Sequence, residues 1–156
     1  MLETTYFSNM QSVGFLDKVI FLDIDGTLVT DGSTIVPEDA LVRVVELVRT
    51  NAVYLTSNNK DEERNRALST IIGIPLASVR YKKPDKRIVQ DSGCDQTKPR
   101  LVIGDKYCID GLFAKNINAD FIKVKSLQGS RDSCLVRGAY LFDAFFGKLL
   151  YTLWNT

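Results

Sequence analysis

Lys18-Val19-Ile20-Phe21-Leu22-Asp23-Ile24-Asp25-Gly26-Thr27 is the stretch on which the reading of the chain turns. Apolar side chains follow one another from Val19 to Leu22 without polar alternation, as in a strand buried on both faces. The run then breaks into acids, a glycine and a threonine, which is how a buried parallel strand meets its loop. Ligands of open α/β sheets collect beyond the carboxyl ends of the strands. Asp23 and Asp25 therefore stand where chemistry is expected, on a turn that Gly26 permits and that the Thr27 hydroxyl can hold.

Working outward, Pro37-Glu38-Asp39 opens a stretch in which Leu41, Val44, Val45 and Val48 recur at helical spacing, with Pro and acids in the first turn. Ala52–Thr56 reads as the next strand and Lys60–Ile72 as the next helix, a second βα unit in which Ser57-Asn58-Asn59 is the loop or N-cap. A strand near Ala77–Tyr81, a helix after Pro84, a strand Arg100–Gly104, a helix from about Gly111 to Asn116 and a strand Ala119–Val124 complete the expectation. Strands alternating with helices predict an α/β fold with a doubly wound, Rossmann-like parallel sheet. The 156 residues are expected to form a single domain, 1–156, with loops at 93–99 and 128–133.

Composition narrows the chemistry. Apolar residues make up 45% and charged residues 25%, and 20 Lys and Arg against 19 Asp and Glu leave a formal charge of +1. No global field favours nucleic acid, and no nucleic-acid partner is expected. Cys94, Cys108 and Cys134 fall in no CxxC spacing and read as free thiols of a reducing compartment. Met1–Asp17 carries Glu3 and no continuous apolar run, so neither a secretory leader nor a membrane span is expected there, and the expected location is cytoplasmic. The absence of histidine removes Ser-His-Asp and Cys-His catalysis and nearly every zinc site. Carboxylates, lysines, hydroxyls or a metal bound through oxygen remain.

Four expected strand ends supply matching parts. After Asp23-Ile24-Asp25-Gly26-Thr27 come Thr56-Ser57-Asn58-Asn59, Lys82-Lys83-Pro84, and Gly104-Asp105 with Asp110 beyond. Phosphoryl transfer needs a nucleophile, cations for the equatorial oxygens and a proton donor for the leaving group. Asp23 is the candidate nucleophile, forming an acyl phosphate that water then hydrolyses. Asp25 is the candidate general acid and base. Gathered carboxylates beside a phosphate repel it unless a hard cation bridges them, and oxygen ligands suit Mg2+. The expected metal set is Asp23, Asp105, Asp25 through its backbone carbonyl, and Asp110 directly or through water. Gly26, Thr27, Ser57 and Asn58 are expected around the phosphate, with Lys83 neutralising it and Asp23. Thr56 could replace Ser57, and Lys82 could replace Lys83. Arg64 and Arg66 read as solvated.

The order of these motifs resembles the haloacid dehalogenase superfamily: DxDxT at Asp23–Thr27, a strand-terminal hydroxyl at Ser57, a lysine at Lys83 and GDx4D at Gly104–Asp110. The resemblance spans residues 18 to about 124. It implies a Mg2+-dependent phosphomonoesterase working through an aspartyl-phosphate, since the second aspartate, Asp25, separates the superfamily's phosphatases and phosphomutases from its dehalogenases. A phosphotransferase or mutase, and a non-catalytic module that binds a phosphorylated ligand, are the alternatives. Only 29 residues separate Thr27 from Ser57 and 25 separate Ser57 from Lys83, which leaves no room for the family's cap domains. Among uncapped members the chain is similar to the phosphatidylglycerophosphate phosphatase-like branch, although that branch carries Asn where Gly26 stands, and Asp25–Leu47 is more like sugar-phosphate phosphatases. The implied partner is a phosphorylated small molecule, or a lipid or macromolecular phosphate.

Leu135–Trp154 reads as a terminal helix. Leu135, Ala139, Phe142, Phe146, Leu149, Leu150 and Leu153 share one face, widened by Leu141, Phe145 and Trp154, with Arg137, Lys148 and Tyr151 opposite. Packing on its own sheet, a homo-oligomer interface, and peripheral membrane contact are the three readings of that face.

Overall fold

The computed structural model describes residues 5–11, 14–129 and 134–154, the side chains of 134–137 and 154 excepted. The readings that involve Glu3, residues 130–133, and the side chains of Cys134, Leu135, Arg137 and Trp154 lie outside the described residues.

Four strands form one all-parallel sheet: β1 (Val19–Asp23), β2 (Ala52–Thr56), β3 (Arg100–Gly104) and β4 (Asp120–Lys123), in the order β2-β1-β3-β4. Every residue of β1 is buried, as a central strand with both neighbours paired requires. Its side chains alternate between two cores. Ile20 and Leu22 join Leu28, Val44, Leu47 and Leu68 on one face. Val19 and Phe21 join Ile88, Val102 and Phe113 on the other. Helices α1 (Glu38–Val48) and α2 (Glu62–Ile72) supply the first core, and α3 (Arg87–Asp91) and α4 (Leu112–Asn116) the second. The architecture is α/β with helices on both faces of the sheet, compatible with a Rossmann-like fold.

The parallel register sets all four carboxyl ends on one edge. Asp23 pairs with Thr56, and Leu22 with Ile103, so the loops after β1, β2 and β3 emerge side by side. The chain runs outward from β1 to β2 and returns past it to β3. The order therefore reverses between β1 and β3, where α/β sheets open a crevice.

Two expectations change. No strand forms over Ala77–Tyr81. The segment makes one bridge, with Leu55 N donating to Pro75 O and Ala77 N to Leu55 O at 2.8 Å each. The Ser78 hydroxyl then accepts from the amides of Arg80 and Tyr81, a local turn that competes with a ladder. The cap of α2 is Asp61, which accepts from Arg64 N at 3.0 Å, and not Ser57-Asn58-Asn59.

The terminal helix forms as α5 (Cys134–Phe142), a π-helical turn Asp143–Gly147 and α6 (Lys148–Trp154). It meets the rest of the fold through its polar side, where Tyr151 packs against Phe121 of β4 and against Tyr107. Tyr140, Asp143 and Gly147 are buried, whereas Leu141, Phe142, Phe145, Phe146, Leu149, Leu150 and Leu153 are exposed, Phe145 by 78%. The Asp143 carboxylate decides this. It accepts from the amides of Tyr107 and Cys108 at 2.8 Å each, so it must face inward, and the apolar stripe faces out. Among the described residues no helix is long and apolar enough to cross a membrane.

Candidate active site

The turn after β1 is built by local bonding. Ile24 O accepts from the amides of Leu28 and Val29 at 2.9 and 3.1 Å, and Gly26 N donates to Val29 O at 2.8 Å. Gly26 takes φ +83°, which side-chain-bearing residues rarely adopt. A Cβ there would come 2.3 Å from Asp105 Oδ2, so the glycine lets the β1 loop close against the β3 loop. Gly104 plays the same part for Asp110, whose Cγ would lie 2.3 Å from an added Cβ.

This closure gathers Asp23, Asp105 and Asp110, each buried, with one carboxylate oxygen apiece within 4.8 Å of the others. Lys83 stands between them and donates to both Asp23 and Asp110. Asp110 Oδ2 also accepts from Lys106 N at 3.0 Å, and Asp105 Oδ1 from Lys106 Nζ at 3.2 Å. Burial pushes the Asp23 carboxyl up to about 8; Lys83 opposes the shift, and the Asp110 and Asp105 charges add to it. Asp105 is raised too, chiefly by burial, with Lys106 opposing. Burial alone would lower Lys83, yet the carboxylates of Asp110 and Asp23 raise it above its ordinary value.

With Asp23 ionised, three carboxylates face two ammonium groups, and Asp105 Oδ2 is buried without a hydrogen-bond partner among the described residues, a donor set then short of positive charge. A hard divalent cation held through oxygen fits that deficit. The carboxylate of Asp25 is not in the cluster. It accepts from the Ser57 hydroxyl at 2.9 Å and from Arg64 Nη2 at 2.7 Å, and it lines a cavity of about 200 Å³ with Asp23, Asp31, Asn58, Lys83, Lys106 and Asp110.

The remaining sequence candidates act on these acids and on the lysine. Thr27 Oγ1 donates to Asp23 Oδ2 at 3.1 Å. The Asn58 amide clamps the Lys83 backbone, donating to its carbonyl at 2.9 Å and accepting from its N–H at 2.8 Å. Lys83 is the lysine of the cluster, for Lys82 Nζ reaches Asn59 O at 3.2 Å. Ser57 reaches Asp25, whereas Thr56 Oγ1 is buried and makes no hydrogen bond among the described residues.

Arg64 corrects the expectation of a solvated side chain. It is 8% exposed and holds both Asp25 oxygens and Ser33 O. The signal was its place four residues before buried Leu68, on the inward face of α2. Lys106 carried no sequence signal beyond following Asp105. Asp143 was hidden in an apolar stripe. Comparison with protein-family models, with curated proteins and with solved structures gives no match for this chain.

Proposed function

We propose that the protein is a Mg2+-dependent phosphomonoesterase that works through an aspartyl-phosphate on Asp23, an uncapped member of the haloacid dehalogenase superfamily. The observation that carries this reading is the buried Asp23, Asp105 and Asp110 cluster bridged by Lys83, with Asp25 held apart from it on the same cavity. Asp23, Asp105 and Asp110 would hold the metal, which supplies charge neutralisation for the phosphoryl oxygens.

Asp23 attacks phosphorus, with Thr27 fixing one of its oxygens and Lys83 the other. The P–O bond to the leaving group breaks, and that oxygen takes a proton from Asp25. Water then attacks the aspartyl-phosphate, gives its proton back to Asp25, and phosphate leaves with Asp23 restored. Arg64 and Ser57 hold Asp25 in position.

Turnover of an aryl phosphate with and without Mg2+ tests the reading. Asp23→Asn is expected to abolish it with the fold intact, because an amide cannot attack phosphorus, and Asp25→Ala is expected to accumulate phosphoenzyme visible by intact-mass measurement. Wild-type rates from Asp23→Asn would end the covalent mechanism.

A further inference from the structure

A second cavity, of about 640 Å³, opens on the other side of Asp105, between the end of β4 and α5. Lys123, Lys125 and Lys148 all line it. The carboxylate among its lining residues is Asp105, which is 1% exposed and already bonded to Lys106. Among the described residues no carboxylate lies within ion-pair distance of Lys123, Lys125 or Lys148. Lys123 Nζ donates to the backbone carbonyls of Asp105 and Val124 and lies over the Tyr107 ring, while Lys125 and Lys148 are exposed along the cavity, and lysines gathered on one concave surface raise the local concentration of anions. In a chain of net charge +1 this is a local concentration of charge and not a reflection of composition.

The cavity also adjoins the first. Lys106 lines the catalytic cavity, its ammonium 3.2 Å from Asp105 Oδ1 and 5.0 Å from the centre of the Tyr140 ring, and Tyr140 lines the second. Lys106, Asp105 and Tyr140 thus stand between the two cavities. Lysine is a point-charge partner for phosphate and carboxylate.

We propose that this second cavity holds a further oxyanion of the substrate, so that the molecule dephosphorylated at Asp23 carries a second phosphate or carboxylate a short spacer away. The proposal rests on the phosphatase reading for its geometry, while the ligand binding it entails is measurable without turnover.

The test compares a short alkanediol bisphosphate with the alkyl monophosphate of the same chain length, on the wild type, on Lys125→Glu/Lys148→Glu, and on Lys98→Glu as a charge control at the opposite edge of the sheet. Lys125 and Lys148 are exposed, so the fold tolerates the change. The wild type is expected to prefer the bisphosphate in kcat/KM by roughly tenfold or more, and the double variant to lose that preference while Lys98→Glu keeps it. No preference in the wild type, or one that survives the double substitution, overturns the inference. If neither ester turns over, the catalytic reading fails, and calorimetric binding of the bisphosphate decides this one: tighter binding to the wild type than to the double variant sustains it, and equal binding sinks it. Inorganic sulfate forms the last arm. Sulfate binding abolished in the double variant, without any advantage of bisphosphate over monophosphate, would assign the cavity to a free anion and overturn the proposal.

Discussion

Lys83→Met removes a buried ammonium and keeps an apolar stem of similar length. Its side chain is 2% exposed and pairs with both Asp23 and Asp110, themselves 6% and 1% exposed, so the deletion leaves buried carboxylates without their counter-charge. Breaking a buried pair in this way costs about 3–5 kcal/mol. The cost must also depend on pH. The Asp23 carboxyl stands at about 8 in the fold against 3.8 unfolded, so between those values the folded protein holds a proton that the unfolded chain has lost. Stability conferred by that difference is fully present below the unfolded value and is lost as pH rises through the folded one. Lys83 is the strongest influence holding Asp23 down, so its removal raises the folded value further and extends the loss to higher pH. Urea unfolding with a metal chelator should therefore show the full cost near about pH 9 and a smaller one near about pH 5, where Asp23 is neutral and its share of the loss falls to a hydrogen bond while Asp110 still lacks its partner. Excess Mg2+ should recover part of the loss. A cost below about 1 kcal/mol at the higher pH, or one independent of pH, would refute the reasoning.

Gly26→Ala should cost about 1–2 kcal/mol for the positive φ alone, and, because its Cβ displaces Asp105 Oδ2, should weaken Mg2+ binding by about tenfold or more in a titration; wild-type behaviour in both would show the loops to be looser than described. Mg2+ uptake at about pH 7 should release a proton, since Asp23 is then mostly protonated without metal, and affinity should rise until about pH 8 and flatten. Calorimetry in buffers of different ionisation enthalpy reads that proton, and an enthalpy that ignores the buffer would contradict it. Arg64→Leu should lower kcat more than it raises KM and destabilise by about 3–5 kcal/mol, while Arg64→Lys restores more of the stability than of the rate, a lysine being unable to hold both Asp25 oxygens. Equal recovery of stability and rate would leave Arg64 with no positioning part.

The strands legible in the sequence are those whose burial leaves no choice. β1 and β3 carry apolar runs in the middle of the sheet and β2 a shorter one beside β1, and the structure begins and ends all three within a residue of the expected bounds. Ala77–Tyr81 has similar composition but lies at the outer edge of β2, where one pair of bonds competes with a serine turn and loses. Charged and polar residues were harder. Asp23 and Asp105 were legible because they stand at the ends of β1 and β3, and Asp110 and Lys83 because they complete a motif beside those ends, whereas Arg64 and Asp143 sit within helices, where a charge is ordinarily read as wet. Both are buried because a specific partner waits inside: the Asp25 carboxylate for one, the Tyr107 and Cys108 amides for the other. That second pairing also sets the orientation of the terminal helix, which the apolar pattern left open, since the apolar rule sums over many side chains and cannot see one pair of buried amides.

The reversal of strand order between β1 and β3 has a kinetic side. Asp23 and Asp105 meet only when segments some eighty residues apart in sequence pair in parallel, a separation at which loop closure is slow and entropically costly. An unfolded chain therefore holds Asp105 near Asp110 but not the complete acid cluster, and a cation that prefers the folded state deepens stability with its concentration by mass action. If β1 and β3 join late on the folding route, that cation slows unfolding and leaves the folding rate untouched.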